Sequence, residues 1–468
     1  MAESAVEIIE NAPFDEIRPG QSASLLRTLS MQDIEAFAAV SGDLNPSHLD
    51  PAFASKTSMH EVTGHGMWLG SLISTLLGTR FPGSGTIYLG QTLRFDRPVH
   101  VNDTVTVTVT VSAKDSTDKS VTLACRIVNQ VGEIVLDGEA RVRAPETKIR
   151  APLAASPRIQ VFDPAARLRA LIALGADLDA VACGVVHPCD DGSLRGAVEA
   201  AEANLIKPVF IGPESKIRAI AEQGGIDLTQ YTIISTTHSH EAAARAAEMA
   251  AAGTLEALMK GSLHTDELMH AVVVTAALRT GRRFSHAFRF DVPLYSKPLL
   301  ITDAALNIKP GLIEKRDIAQ NAIDLCWIMG IENPKVAILS AVETINPEIA
   351  STLDAASLCK MADRGQISGA RLDGPLAFDN AVSPEAVRIK HIKSSVAGDA
   401  DILLAPDLES GNMLAKQLEY LAGASGCGVV LGARVPIALT SRADGPSARM
   451  GSALLVKKIA HHCRKPRT

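Results

Sequence analysis

The sequence predicts two successive domains of different class: an α+β domain in which an antiparallel sheet wraps an apolar helix, then an α/β domain on a mostly parallel sheet. Three observations predict this. A nearly unbroken apolar stretch, His65 to Leu77, is followed by the strictly alternating run Val105-Thr106-Val107-Thr108-Val109-Thr110-Val111. Past about residue 158 the rhythm changes to short apolar runs separated by alanine-rich helical stretches. The 468 residues also exceed the length, roughly 250–300, at which a single core stops growing.

In chain order, Ser30-Met31-Gln32-Asp33 reads as a capping box opening a helix through Val40, which Gly42 and Pro46 then stop. An apolar helix such as His65–Leu77 must be covered on most sides. The period-two strands Val105–Val111, Val121–Val128 and Ile134–Val142 supply a curled antiparallel sheet to cover it, which is the hot-dog arrangement. This domain is expected over residues 1–145. Residues 146–158, with proline and alanine but no apolar period, are expected to be a linker. Residues 159–468 then carry apolar runs at Ala180–Val186, Pro208–Ile211, Leu299–Ile301, Val336–Leu339, Ile402–Ala405 and Gly428–Leu431, with helical segments such as Glu241–Ala252 and Gly411–Ala422 between them. Such alternation implies crossover connections and a mostly parallel sheet covered on both faces.

The formal net charge of -6 argues against a protein that coats polyanions, so no nucleic-acid partner is expected. No apolar run reaches the ~18 residues a bilayer span needs, and Met1-Ala2-Glu3-Ser4-Ala5-Val6-Glu7 lacks the pattern of a leader, which predicts a cytoplasmic protein with no membrane partner. Seven dispersed cysteines fit reduced buried thiols, and no metal site is expected. The basic run from Lys457 to Arg467 reads as a solvated tail.

Two sets of residues carry chemistry. The first is Ser41-Gly42-Asp43-Leu44-Asn45-Pro46-Ser47-His48 followed by Gly64-His65-Gly66-Met67. Adding water to a 2-enoyl thioester needs a base for the water, an acid for the α carbon and donors for the enolate oxygen. Asp43 and His48 suit the first two roles, on a bent loop that is expected because Pro46 between them prevents a continuous helix. The N–H of Gly66 at a helix start suits the third. With Phe37, Asp50, Ala54, Gly85-Thr86-Ile87-Tyr88-Leu89 and Phe95, Arg97-Pro98-Val99, the region from Pro13 to Val142 resembles the MaoC-like, R-specific enoyl-CoA hydratases. That resemblance implies a lyase whose hydrating dyad is Asp43 and His48 and whose oxyanion donor is Gly66.

The second set is Ser441, Arg442 and Asp444, just after the apolar run Val435-Pro436-Ile437-Ala438-Leu439 and so at a strand's carboxyl end, where open parallel sheets place ligands. A guanidinium matches phosphate oxygens, and a neighbouring hydroxyl adds a donor. Taken alone, the tetrapeptide is equally a helix start with a surface arginine. The wider pattern resembles the phosphate acetyltransferase and phosphate butyryltransferase family. It includes Leu258-Met259-Lys260-Gly261, Ser285-His286, Thr302-Asp303-Ala304-Ala305-Leu306-Asn307, Met361-Ala362-Asp363-Arg364-Gly365-Gln366 and Ala405-Pro406-Asp407-Leu408-Glu409-Ser410-Gly411-Asn412.

This second resemblance implies an acyltransferase with Ser441 and Arg442 at its active site. In acetyl-transferring members an aspartate six residues past the arginine is the proposed base. Here Ala448 holds that place, and Asp444 is the candidate substitute. Lys260 and His286 are candidates to line the coenzyme A or phosphate cleft, or else ordinary strand-end residues.

The expectation is a bifunctional acyl-CoA enzyme with no tightly bound cofactor. Acyl-CoA, enoyl-CoA, coenzyme A, phosphate or acyl phosphate are its small-molecule partners. It is expected to form a homodimer or higher homo-oligomer. Two alternatives remain at this stage: a hydratase with a non-catalytic acyl-CoA-binding second domain, and a front domain that serves only in oligomerisation and ligand holding.

Overall fold

The structure, a computed structural model, describes residues 8–152, 161–440 and 444–464. It divides into two compact units, Met1–Val161 and Phe162–Thr468. No described helix is long and apolar enough to cross a membrane.

The first unit runs β1 (Ile8–Glu10), β2 (Ser22–Thr28), α1 (Met31–Ser41), α2 (Pro46–Leu49), α3 (Pro51–Ala54), α4 (Gly66–Thr79), β3 (Ile87–Phe95), β4 (Thr104–Asp115), β5 (Ser120–Val128), β6 (Ile134–Arg143) and β7 (Arg150–Pro152). The capping box of α1 is present: the Asp33 N–H donates to the Ser30 hydroxyl at 3.1 Å and the Ser30 N–H donates to the Asp33 carboxylate at 3.0 Å. Gly42, at φ 76°, closes that helix in the left-handed region, where glycine has no Cβ to clash.

Strands β2-β4-β5-β6-β3 form one antiparallel sheet. Val105, Val107, Val109 and Val111 point inward and pack with Leu69, Leu72, Ile73 and Leu76 of α4. Full burial of each such side chain contributes about 1.5–3 kcal/mol. The covering of α4 is less complete than expected, because the stripe Met67, Ser71, Ser74, Thr75 and Gly78 is exposed. In the span expected to be a linker, β7 pairs with β1. The Asn11 side chain also reaches that span, donating to the Thr147 carbonyl at 3.0 Å. The apolar period was absent because backbone and amide hydrogen bonds hold residues 146–152; residues 153–158 of that span lie outside the described residues.

The second unit opens with α5 (Pro164–Ala173), β8 (Val181–Val186), α6 (Asp191–Glu202), β9 (Ile206–Gly212), α7 (Glu214–Gly224), β10 (Thr232–Ser235), α8 (Ser239–Ala251), β11 (Ala257–Lys260) and α9 (Thr265–Val274). It continues through β12 (Ser285–Asp291), β13 (Leu299–Thr302), α10 (Leu312–Ile328), β14 (Lys335–Leu339), α11 (Ala350–Asp363) and β15 (Arg371–Leu376). The rest is α12 (Phe378–Val382), α13 (Pro384–Ile389), β16 (Ile402–Leu404), α14 (Leu408–Tyr420), β17 (Ser425–Leu431), β18 (Ile437–Ala438) and α15 (Pro446–Arg464).

All eleven strands join one sheet, β10-β9-β8-β11-β18-β17-β12-β13-β16-β14-β15. Two parallel blocks, β10 to β18 and β13 to β15, are joined through the antiparallel pair β17 and β12. The sign changes between β18 and β13 make the two blocks run in opposite directions. On one face a single apolar cluster spans both blocks, holding Val185, Val429, Val336 and Leu454 together. On the other face the core is divided: Leu258, Leu263 and Leu439 pack under α8 and α9, while Phe290, Leu339 and Leu403 pack under α12 and α14.

The basic run read as a solvated tail is instead largely the end of α15. Lys457 is 1% exposed, and its ammonium donates to the carbonyls of Gly175 and Asn204, each at 2.9 Å. Both acceptors lie at the ends of helical segments, where carbonyls lack intrahelical partners.

Candidate functional site

In the first unit, the loop after α1 and the start of α4 converge. No helix runs continuously from α1 through this segment, as expected: Pro46 begins a separate short helix, α2, a position that suits its fixed φ and missing N–H, and Asn45 caps the turn through Ser47 N–H at 3.1 Å. His48 therefore rides on a rigid turn. Its Nδ1–H donates to the Thr63 carbonyl at 2.7 Å, which fixes the tautomer and leaves Nε2 as a lone pair. Asp43 is exposed and His48 half-buried, so water and a substrate reach both.

Sequence reasoning assigned no role to His65, the residue that joins the two segments. His65 is 2% exposed, its ring centroid lies 4.0 Å from that of His48, and its Nε2–H donates to the Asp43 main-chain carbonyl at 3.0 Å. Burial pushes its pKa below the usual imidazole range, so it serves as a neutral donor. Ligand atoms of Asp43, His48 and His65 lie within 4.8 Å of one another, a donor set that also suits a divalent cation. Gly66 opens α4 with the Phe95 ring against it: a Cβ there would stand 3.2 Å from the ring. The Gly66 and Met67 N–H groups that open the helix, next in sequence to His65, have no intrahelical acceptors, whereas the Trp68 N–H donates to the His65 carbonyl at 3.0 Å.

In the second unit, a cavity of about 290 Å³ opens where the divided core leaves a gap. Leu263 and Leu439 from one cluster and Phe288 from the edge of the other form its apolar wall. Lys260 at the end of β11, His264 and Thr265 at the start of α9, Asn412 and Lys416 on α14, and Thr440 supply polar groups. Lys260 is 5% exposed, with Nζ 3.5 Å from the Thr440 carbonyl. Ser441 and Arg442 lie outside the described residues. Asp444 acts electrostatically on Lys416: burial opposes the Lys416 charge, but Glu419 and Asp444 together hold its pKa above the ordinary value.

A relative from Rhizobium meliloti, a phosphate acetyltransferase, is 57% identical over 285 residues, 61% of this chain and 90% of its own length. The chain belongs to the phosphate acetyl/butyryltransferase family. The family model described as "Phosphate acetyl/butaryl transferase" matches residues 234–456, and the model of the "MaoC like domain" matches 16–131. A phosphate butyryltransferase from Clostridium acetobutylicum is 39% identical over 58% of this chain and 90% of its own. The branched-chain phosphotransacylase of Enterococcus faecalis V583 superposes with a TM-score of 0.54 at 26% identity, covering 60% of this chain and 99% of that one. One chain thus joins a MaoC-like hot-dog hydratase domain to a phosphate acetyl/butyryltransferase domain.

Within the transferase domain, Lys260 lines the cavity and His286 does not. His286 is fully buried on β12, its ring 4.3 Å from that of Phe288, and neither ring nitrogen makes a well-formed hydrogen bond. A polar residue at a strand end looks the same in sequence whether it faces a cleft or a core, so only the packing separates the two. Beneath it, Asp303 gathers donors from His286 N–H at 3.2 Å, Ala305 N–H at 2.8 Å, Leu306 N–H at 2.9 Å and the Asn307 amide at 2.5 Å. Asp303 and Asn307 anchor the turn that carries the cavity-lining Ala305, a role that the motif contained but did not distinguish.

Burial pushes the pKa of His286 down to about 4, against the pull of Asp303. The unfolded chain therefore binds this proton more readily than the folded one between roughly pH 6.5 and 4. The stability that neutral His286 lends is fully present above that window and is lost as pH falls through it. Thermal melts of the transferase domain are expected to drop across this window, and His286→Gln is expected to flatten the pH dependence. An unchanged slope in the variant would place the acid sensitivity elsewhere.

Proposed function

We propose that the two domains catalyse separate acyl-CoA reactions: reversible hydration of a 2-enoyl-CoA in the first, and transfer of a short acyl group between coenzyme A and phosphate in the second. The observation that carries the first assignment is the His48 tautomer. With Nδ1–H given to Thr63, Nε2 takes a proton from water held between His48 and Asp43. The water oxygen bonds to the β carbon, the enolate oxygen is met by N–H groups at the start of α4, and a proton is returned to the α carbon. His65 holds the Asp43 loop to the helix that supplies those donors.

For the transfer, phosphate oxygen attacks the thioester carbonyl, the C–S bond breaks, and the thiolate leaves to be protonated. Arg442 and Ser441 are the proposed phosphate ligands, and Asp444 is the proposed base for the coenzyme A thiol in the reverse direction. Its electrostatic link to Lys416, which lines the cavity, supports this role. Lys260 adds an amino group to the cavity lining at the carboxyl end of β11. Neither reaction calls on a tightly bound cofactor. Cys125, Cys183, Cys189, Cys326, Cys359 and Cys427 are free thiols, which supports the cytoplasm as the protein's compartment.

The hydratase domain also supports assembly with a second copy. β3 is an edge strand with Ile87, Tyr88, Leu89 and Phe95 exposed, and an unpaired apolar edge of this kind is a template for pairing. A symmetric contact through β3 covers both.

Asp43→Asn is expected to reduce hydration of 2-butenoyl-CoA by ~100-fold or more while phosphate-dependent thiol release from butyryl-CoA persists. Loss of both activities in a folded protein would contradict separate sites. A chain that releases no thiol from any short acyl-CoA with phosphate would reduce the second domain to a binding module. For assembly, light scattering is expected to find at least a dimer, which Leu89→Glu dissociates; a wild-type monomer would remove the edge contact.

A further inference from the structure

A second cavity, of about 740 Å³, lies at the carboxyl ends of β14 and β16 and plays no part in the transfer chemistry described above. Its origin is topological. These two strands are neighbours and run parallel, yet the chain leaves them toward opposite faces of the sheet. Ala355 and Leu358 of α11, which follows β14, pack in the core with Val336 and Ile338. Ala415 of α14, which follows β16, packs on the other side with Ala337 and Leu403. Between two such diverging connections an open α/β sheet leaves a crevice, and ligands of this architecture bind there. The volume lies within the range of small-molecule sites, roughly 300–1,000 Å³.

The lining is divided by chemistry. At one end Ser340, just past β14, and Ser351, in the first turn of α11, bring their hydroxyls within 2.8 Å of each other. The α11 N-terminus has no side-chain cap, so its positive end is available. Lys309 stands exposed at the rim. The acidic neighbours are already engaged: Asp354 pairs with Lys315 at 2.6 Å, and Asp407 accepts from the Ser410 N–H at 2.8 Å. At the other end Phe378, 40% exposed, and Leu414 present a flat apolar wall.

We propose that this cavity binds a nucleotide, its phosphates at Ser340, Ser351 and Lys309 and its base against Phe378 and Leu414. A free nucleotide and the nucleotide end of coenzyme A offer the same chemistry; the second source rests on the transferase reading above, the first does not. Either occupant communicates with the transfer cavity through α14. Ser410 and Leu414 face the nucleotide cavity, while Asn412 and Lys416, two residues out of phase on the same helix, line the other. Asn412 also donates to the Ala304 carbonyl at 3.1 Å, tying α14 to the loop that carries Asp303.

The test is calorimetric titration of the full chain with ADP and, separately, with 3′-phospho-ADP. One saturable site per chain is expected, weakened about tenfold or more in both Ser351→Glu and Lys309→Glu, because each puts a carboxylate against the phosphates. If these variants raise the KM for acyl-CoA in the transfer assay and keep kcat, coenzyme A is the occupant. If they leave KM unchanged and ADP alters turnover of the unmodified chain only, the occupant is a free effector. Binding of neither nucleotide, or binding unchanged in both variants with melts matching the unmodified chain, overturns the proposal. Absence of transfer with every acyl-CoA would instead count against the transferase reading and leave the titration interpretable.

Discussion

The transferase domain depends on an apolar core that is whole on one face of the sheet and divided on the other. The continuous cluster beneath α6, α10, α11 and α15 fixes eleven strands as one body. On the opposite face the packing under α8 and α9 stops at Leu263 and Leu439, and the packing under α12 and α14 resumes near Phe288. Interiors pack too densely to tolerate an unfilled seam, so a gap of this kind persists only where polar groups can be solvated or a ligand can enter. Lys260, Thr440 and Lys416 are those polar groups. Asp303 ties the turn bearing the cavity-lining Ala305 to β12 by accepting four hydrogen bonds.

The hydratase domain solves the same problem differently. Its core closes around the inner face of α4, and its proposed chemistry sits at that helix's N-terminus, where helix geometry leaves backbone donors without intrahelical acceptors. A neutral, buried His65 connects the donors to the dyad loop. Removing it would leave Asp43 on an exposed loop tied only by local hydrogen bonds, such as that from Asn45 N–H to its carboxylate at 3.3 Å. Geometry of this sort matters because a displacement of about 1 Å can cost on the order of 100-fold in rate.

Much of this was legible in the sequence, for physical reasons that differ by element. The valine alternation of β4 declared a strand buried on one face, since only a period of two places every second side chain inward. The Ser30–Asp33 box declared the start of α1 because its hydrogen bonds are local. Strand β18, two residues long, owes its existence to its neighbours β11 and β17, and no local pattern announces it. Residues Asp43 and His48 could be nominated from sequence because their types and spacing suit proton transfer, whereas His65 was overlooked because it holds another residue's backbone. Lys457 misled in the opposite way: charge composition marks solvent exposure on average, and two carbonyl acceptors at helix ends reverse it here. His286 shows the same limit at a strand end, while Ser441 and Arg442 lie outside the described residues and rest on their motif.

The central claim is that one chain performs two distinct reactions on thioesters of coenzyme A. Nuclear magnetic resonance of a single sample holding the intact protein, phosphate, 2-butenoyl-CoA and butyryl-CoA tests it most directly. Carbon signals of a 3-hydroxyacyl thioester and the phosphorus signal of an acyl phosphate are both predicted to grow with time. Growth of only one of the two would contradict the account.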